Sequence, residues 1–285
     1  MTSQQELETT LGIALDAAAL INTLRARPIT VHEKAGGEPV TDADLAANDL
    51  VVTRLATLFP QDAILSEELP DNGDRRHADR VWMIDPIDGT RDFIRGEPGF
   101  AVMIGLCQGG IPIMGVVSQP ATGITWLGAR GIGAWRITTP VVREPIAVST
   151  IGDPANARLV SSKSRRNGYY SQFCSELGIT DELLVGSVGI KMGLIADGSR
   201  DLYVYPGTQT KLWDTCAPQA ILEAAGGRVT NAMGGPLCYT GETLKNENGL
   251  VASNGQVHEV ALRAIAKIRA SIQADGARGA TYRPR

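Results

Sequence analysis

An apolar run that breaks into Asp85-Pro86-Ile87-Asp88-Gly89-Thr90 constrains this chain more than any other stretch. Val81-Trp82-Met83-Ile84 has the β-branched and aromatic pattern of a buried strand, so Asp85 is expected at the strand's carboxyl end. Pro86 is expected to stop the strand, and its fixed φ lets a tight turn aim Asp85 and Asp88 at one point. Gly89 permits close backbone approach, and N–H groups opening a helix at Thr90 would face an anion. Two carboxylates beside an anion cradle repel a phosphate unless a hard cation sits between them, which points to a divalent metal, magnesium first. Taken alone, the same residue types also describe a solvated Asp-rich turn.

Three other acidic segments bear on that choice. Ile64-Leu65-Ser66-Glu67-Glu68 is a strand-like run ending in paired acids, so a second strand-end carboxylate can reach the same ion. In Val40-Thr41-Asp42-Ala43-Asp44, Thr41 or Asp42 can cap the helix continuing through Leu50, which puts Asp44 in the first turn, where an acid complements the helix dipole. Lys211-Leu212-Trp213-Asp214-Thr215-Cys216-Ala217-Pro218 leads into another apolar-periodic helix, with Asp214 near its start. Each segment singly has a capping or surface explanation.

Order and wording together say more. The chain resembles the lithium-sensitive, magnesium-dependent phosphatases that include inositol monophosphatase, fructose-1,6-bisphosphatase and 3′(2′),5′-bisphosphate nucleotidase, from about Lys34 to about Asn254. The resemblance implies a layered αβαβα sandwich of the sugar-phosphatase type, α/β (α+β) in class, with an antiparallel-sheet first half and an α/β second half. It implies two or three Mg2+ ions held by Glu67, Asp85, the Ile87 carbonyl, Asp88 and Asp214. Asp44, Thr90 and Glu67 would be catalytic, with Asp44 acting through the Thr90 hydroxyl on the attacking water. Asp88, Gly89 and Thr90 would hold the phosphate. The reaction expected is in-line attack of an activated water on a phosphate monoester, with no covalent phosphoenzyme.

Substrate choice is expected from the second half. The Lys211–Gly227 stretch, Gly186-Ser187-Val188-Gly189-Ile190-Lys191 and Arg91-Asp92-Phe93-Ile94-Arg95 resemble the nucleotidase branch, which implies a nucleotide bisphosphate such as 3′-phosphoadenosine 5′-phosphate. Ser162, Arg165, Ser187, Gly189 and Lys191 are the expected substrate residues, Lys191 for the second phosphate. Arg165 departs from the family's histidine there and can still pair with phosphate or stack on adenine. Inositol monophosphate or another sugar phosphate is the alternative substrate; a non-catalytic phosphate- or metal-binding module is the alternative from another class.

Periodicity predicts a helix over Gln5–Arg25, then a Gly36-Gly37-Pro39 loop carrying Lys34 and Glu38 that can close over the metal site. Strands are expected near Ala63–Ser66, Arg80–Asp85, Phe100–Cys107 and Ile111–Ser118, the last two a hairpin about Gly109-Gly110. Beyond Ser149 the expected order is strand 158–161, helix 167–177, strand 183–186, helix 188–196, strand 202–205, the Trp213 helix closed by Gly226-Gly227, and a helix over Val257–Ile272. The division expected is 1–149, 150–272 and a disordered tail over 273–285, with the cleft where Asp214 meets the Asp85 turn.

At 285 residues and a formal charge of −4, with no basic stripe interleaved with aromatics, a nucleic-acid-binding surface is not expected. No leader pattern and no membrane-spanning apolar run are read, so a cytoplasmic monomer or homodimer without membrane insertion is expected. The four cysteines lie far apart and read as reduced thiols.

Overall fold

The structure is a computed structural model describing residues 3–34, 36–138, 142–163 and 168–281, with side chains described as far as 272. Helix α1 (Ser3–Arg25) is followed by the short hairpin β1 (Val31–Glu33) and β2 (Pro39–Thr41), helix α2 (Asp42–Leu58), and strands β3 (Ala63–Ser66) and β4 (Arg80–Asp88). A single-turn helix α3 (Thr90–Ile94) leads into a meander of β5 (Ala101–Gln108), β6 (Ile111–Gln119), β7 (Ile124–Ala129), β8 (Gly133–Thr138) and β9 (Val142–Pro145). Strands β3 to β9 form one seven-stranded sheet in sequence order, antiparallel throughout except for the parallel β3–β4 pair.

The remainder runs β10 (Leu159–Ser162), α4 (Gly168–Leu177), β11 (Glu182–Val185), α5 (Val188–Ala196), β12 (Leu202–Tyr205), α6 (Leu212–Ala224), β13 (Arg228–Thr230), β14 (Leu250–Ser253) and α7 (His258–Thr281). Its five-stranded sheet has the order β11-β10-β12-β14-β13.

Strand alternation shows how these parts stack. Trp82 and Ile84 of β4 join the core under α1 and α2, whereas Val81 and Met83 join the opposite core beneath α5 and α6. Tyr203 and Tyr205 of β12 face that same central core, while Leu202 and Val204 pack with α4 and α7. The layers are therefore α1/α2, seven-stranded sheet, α5/α6, five-stranded sheet, α4/α7, the expected αβαβα sandwich. Both sheets are covered on both faces, which explains why their strands read as nearly continuous apolar runs.

Helix α6 sits unusually close to the first sheet. Gly105, Gly115 and Gly128 are aligned cross-strand partners on β5, β6 and β7. A Cβ on Gly105 would lie 2.6 Å from Ala217 N, one on Gly115 2.1 Å from Ala217 O, and one on Gly128 3.0 Å from the Ile221 Cα. The three glycines form a lane into which the helix backbone itself descends. Pro218 lies within α6 and leaves the Asp214 carbonyl without its i+4 donor.

Several expectations are corrected. Pro86 does not stop β4: the strand runs on to Asp88, with the register shifting against β5 between Asp85 and Asp88. The proline is tolerated because the slip falls where the ladder is already interrupted. Strands β1, β2, β7, β8, β9, β13 and β14 were not foreseen. The last helix continues to Thr281, past the expected end at Ile272, because its Ala- and Arg-rich sequence outweighs Gly276 and Gly279. Finally, α1 has the length and mean hydropathy, 1.2, to cross a bilayer, contrary to the reading above, but Leu7, Ile13, Ala14, Ala17 and Ile21 are buried within the protein.

Candidate active site

Three elements bring four carboxylates to one cleft: the end of β3 supplies Glu67, β4 supplies Asp85 and Asp88, and the start of α6 supplies Asp214. The cleft has a volume of about 570 Å3, a size suited to a small-molecule substrate. Ile87, Gly89 and Thr90 also line it, so the metal and phosphate residues expected from sequence converge there.

Asp88, Asp214 and Asp44 are each anchored through Oδ2. Asp88 Oδ2 accepts hydrogen bonds from Ser187 Oγ at 2.6 Å, Val188 N at 2.6 Å and Gly189 N at 3.2 Å, at the N-terminus of α5. Asp214 Oδ2 accepts from Lys211 N at 2.8 Å across the first turn of α6. Asp44 Oδ2 accepts from Thr41 N at 2.8 Å and Thr41 Oγ1 at 2.5 Å, completing a capping box. Its other oxygen, Oδ1, accepts from Thr90 Oγ1 at 3.3 Å. Thr90 Oγ1 also lies 3.1 Å from the Ile87 carbonyl. Asp44 is thus buried and linked to the cleft through Thr90, not a surface acid.

Gly89 has φ +98°, and a Cβ there would lie 2.5 Å from the Gly99 carbonyl, so conformation and space both demand glycine. It places the Gly89 and Thr90 amides at the opening of α3, where N–H groups have no acceptor within the helix.

The electrostatics are those of closely packed, buried negative charge. Burial, then the negative charges of Glu67, Asp88 and Asp214, push Asp85 well above the ordinary carboxylate range. Burial, then Asp88 and Glu67, do the same to Asp214. Burial also raises Asp44 and Glu67. Asp85 Oδ1 is buried with no hydrogen-bond partner. The Lys34 ammonium sits 2.8 Å from Glu67 Oε1 and 2.7 Å from Glu68 Oε1, the expected loop contact with the acidic site. Among the described residues no three His, Cys, Asp or Glu side chains already form a closed coordination shell. The donor set nonetheless fits a hard divalent cation: all-oxygen ligands, mutually repelling, with an orphaned carboxylate oxygen.

The expected substrate residues fare differently. Ser187 and Gly189 spend their donors on Asp88, behind the cleft. Lys191 is fully buried and bonds the carbonyls of Val185, Gly186 and Ser187 at 3.2, 2.6 and 2.8 Å, so its three N–H donors are committed. The role foreseen for Lys191 at a second phosphate is corrected: a helix-borne lysine one turn past the cap folds back onto its own turn. Ser162 ends β10 outside the cleft lining, and Arg165 lies outside the described residues. Instead the cleft is rimmed by Arg91, Arg95, Lys163 and Lys211, together with Gln209. The basic Arg91 and Arg95 flanking the Asp85 turn were the signal available in the sequence.

Comparison with known proteins agrees with this geometry. The 3′(2′),5′-bisphosphate nucleotidase CysQ of Escherichia coli O157:H7 is 38% identical over 216 residues, 75% of this chain and 85% of that protein. The histidinol-phosphatase of Mycobacterium tuberculosis is 33% identical over 270 residues, 91% of this chain and 97% of the relative. Among solved structures, CysQ from Bacteroides thetaiotaomicron superimposes with a TM-score of 0.76 at 28% identity, covering 89% of this chain and 98% of that one. The inositol monophosphatase from Anabaena gives 0.75 at 29% identity, covering 94% and 97%. The inositol monophosphatase family model matches residues 3–270, and with the αβαβα sandwich and its carboxylate cleft it establishes that this chain belongs to the inositol monophosphatase family.

Proposed function

We propose that this metal-dependent phosphoric monoester hydrolase is a 3′(2′),5′-bisphosphate nucleotidase, releasing the 3′-phosphate of a 3′,5′-bisphosphonucleoside. The observation that carries the substrate is the cationic rim: Arg91, Arg95, Lys163 and Lys211 border the carboxylate cleft, and neither Arg91 nor Arg95 has an ion pair among the described residues. A substrate with a second phosphate uses such positive charge; a singly phosphorylated polyol does not. The similarity to the E. coli nucleotidase supports the same substrate.

Glu67, Asp85, the Ile87 carbonyl, Asp88 and Asp214 would hold two or three Mg2+ ions. When bound, the ions supply Lewis-acid polarisation of the phosphoryl group and acidify a water molecule. Thr90 orients that water through Oγ1 and passes its proton toward Asp44, whose raised proton affinity suits a base. The Gly89 and Thr90 amides bind the transferring phosphate. On the leaving side, the rim holds the remaining phosphate so that the scissile ester lies over the carboxylates. No disulfide joins the four cysteines, which suits a reducing, cytoplasmic setting.

One observation favours a second reading. The histidinol-phosphatase relative matches more of this chain than the nucleotidase does, 91% against 75%. A substrate bearing an ammonium and an imidazole would meet the cationic rim unfavourably, and on that ground the nucleotide is preferred. Phosphate release with magnesium, from adenosine 3′,5′-bisphosphate, inositol 1-phosphate and histidinol phosphate in parallel with a chelator control, decides. Preference for the bisphosphate is expected; preference for either monophosphate overturns the substrate assignment.

A further inference from the structure

The buried Lys191 stands at the centre of a contact chain that ends on Asp88. Its ammonium is enclosed by the carbonyls of Val185, Gly186 and Ser187, which are consecutive residues of the turn between β11 and α5. The Tyr203 ring lies 5.1 Å away, giving the cation an aromatic face on the five-stranded sheet. Carbonyls of this turn point to Lys191, while the Ser187 hydroxyl and the N–H groups of Val188 and Gly189, which follow directly in α5, point to Asp88. Ser187 Oγ also accepts from Ile190 N at 3.1 Å, locking the cap. The turn cannot tilt without breaking bonds on both sides.

Space leaves it little alternative. A Cβ on Gly186 would lie 2.2 Å from Asp92 Oδ2 and 2.5 Å from the Gly99 carbonyl, and Ser187 N donates to that carbonyl at 3.0 Å. The turn is therefore clamped between the residues following α3 and the ammonium of Lys191.

The geometry points to Lys191 as a positioning residue: it braces the 185–187 turn so that Ser187, Val188 and Gly189 fix one oxygen of Asp88 and leave the other for a divalent cation. The inference rests on Asp88 as a metal ligand, and it replaces substrate contact by Lys191 with support of the metal site from behind. Groups that orient a metal ligand tune metal affinity without touching the metal.

The test uses Mn2+ as the probe, titrated into the chelator-treated full-length protein and read by the loss of the free ion's electron paramagnetic resonance signal. Lys191→Met and Ser187→Ala should each weaken Mn2+ binding on the order of tenfold, the scale known for partners of metal ligands. The double variant should be little worse than the weaker single one, because both act through one oxygen of Asp88. In turnover assays kcat should fall by a similar factor for adenosine 3′,5′-bisphosphate and for inositol 1-phosphate. Unchanged Mn2+ affinity with a higher KM for the bisphosphate alone would overturn the proposal and return Lys191 to the substrate. Unchanged Mn2+ affinity with only a lowered Tm would overturn it too, leaving a packing role. If Lys191→Met does not fold, Ser187→Ala decides: tight Mn2+ binding without that hydroxyl sinks the idea. Failure of the wild type to cleave either ester would refute the proposed function, while the Mn2+ titration would still judge this inference.

Discussion

The carboxylate floor of the cleft and its cationic rim are built in opposite ways. On the floor, Asp44, Asp88 and Asp214 each have an oxygen bound by at least one backbone N–H, and β4 and α6, which carry Asp88 and Asp214, lie in the interior layers. On the rim, Arg91, Arg95 and Lys163 are exposed side chains, Lys163 held by an ion pair to Glu97 and a longer one to Asp92. Backbone-fixed groups give reproducible chemistry, while long solvated side chains give adaptable binding at low cost in stability. On the proposed function, the floor would define the reaction and the rim the substrate.

Breaking the floor should have the largest effect. Asp85→Asn should lower phosphate release by at least about 100-fold, the loss typical of a group that stabilises charge in the transition state, in a standard phosphate assay. Thr90→Ala should follow closely, costing about 100-fold in kcat with KM little changed, whereas Thr90→Ser should keep most activity because the hydroxyl remains. A less direct blow falls through the glycine lane. Gly115→Ala would force its methyl into the Ala217 carbonyl, so α6 must lift and carry Asp214 with it. Denaturant unfolding should show a loss of about 1–3 kcal/mol, the cost of overpacking, alongside reduced turnover.

Changes on the rim should be milder and of a different kind. Arg91→Ala and Lys163→Ala should each raise KM for the bisphosphate several-fold, with kcat nearly constant, and weaken the dependence of KM on salt. A fall in kcat equal to that of Thr90→Ala would erase the distinction between floor and rim.

The smallest signal is in pH. Asp85 and Asp214 hold protons more tightly folded than unfolded, so the stability they contribute is full below about pH 4 and lost as pH rises through their raised values. Because buried His258, pushed down to about 4, adds stability over the same interval, the effect is read as a difference: relative to Asp85→Asn, the Tm of chelator-treated wild type should decline as pH rises toward neutrality, and Mg2+ should reverse that relative decline. A Tm difference between chelated wild type and Asp85→Asn that stays constant over that interval would contradict the buried, mutually repelling floor.

Much of the floor was legible before any coordinates. The Asp85 turn, the Ser66-Glu67-Glu68 strand end, Asp44 and Asp214 are local signatures, and β3, α5 and β12 fell within a residue of their expected limits. Strands β7 and β8 are short and carry Gly within or at the end of their apolar runs, and β9, β13 and β14 are only three or four residues long, so period-2 reasoning had little to grip. Lys191 was misread for a related reason: an ammonium near Gly and Ser looks like a phosphate ligand until its own turn's carbonyls are seen to surround it.

The sequence by itself determined the residue types of the centre and the helix and strand ends that carry them, because capping, turn and strand signals act over a few residues. Only the tertiary structure decided how those ends meet. The depth at which α6 settles into Gly105, Gly115 and Gly128, and the direction in which the 185–187 turn faces Asp88, depend on contacts between distant segments that local propensity does not encode.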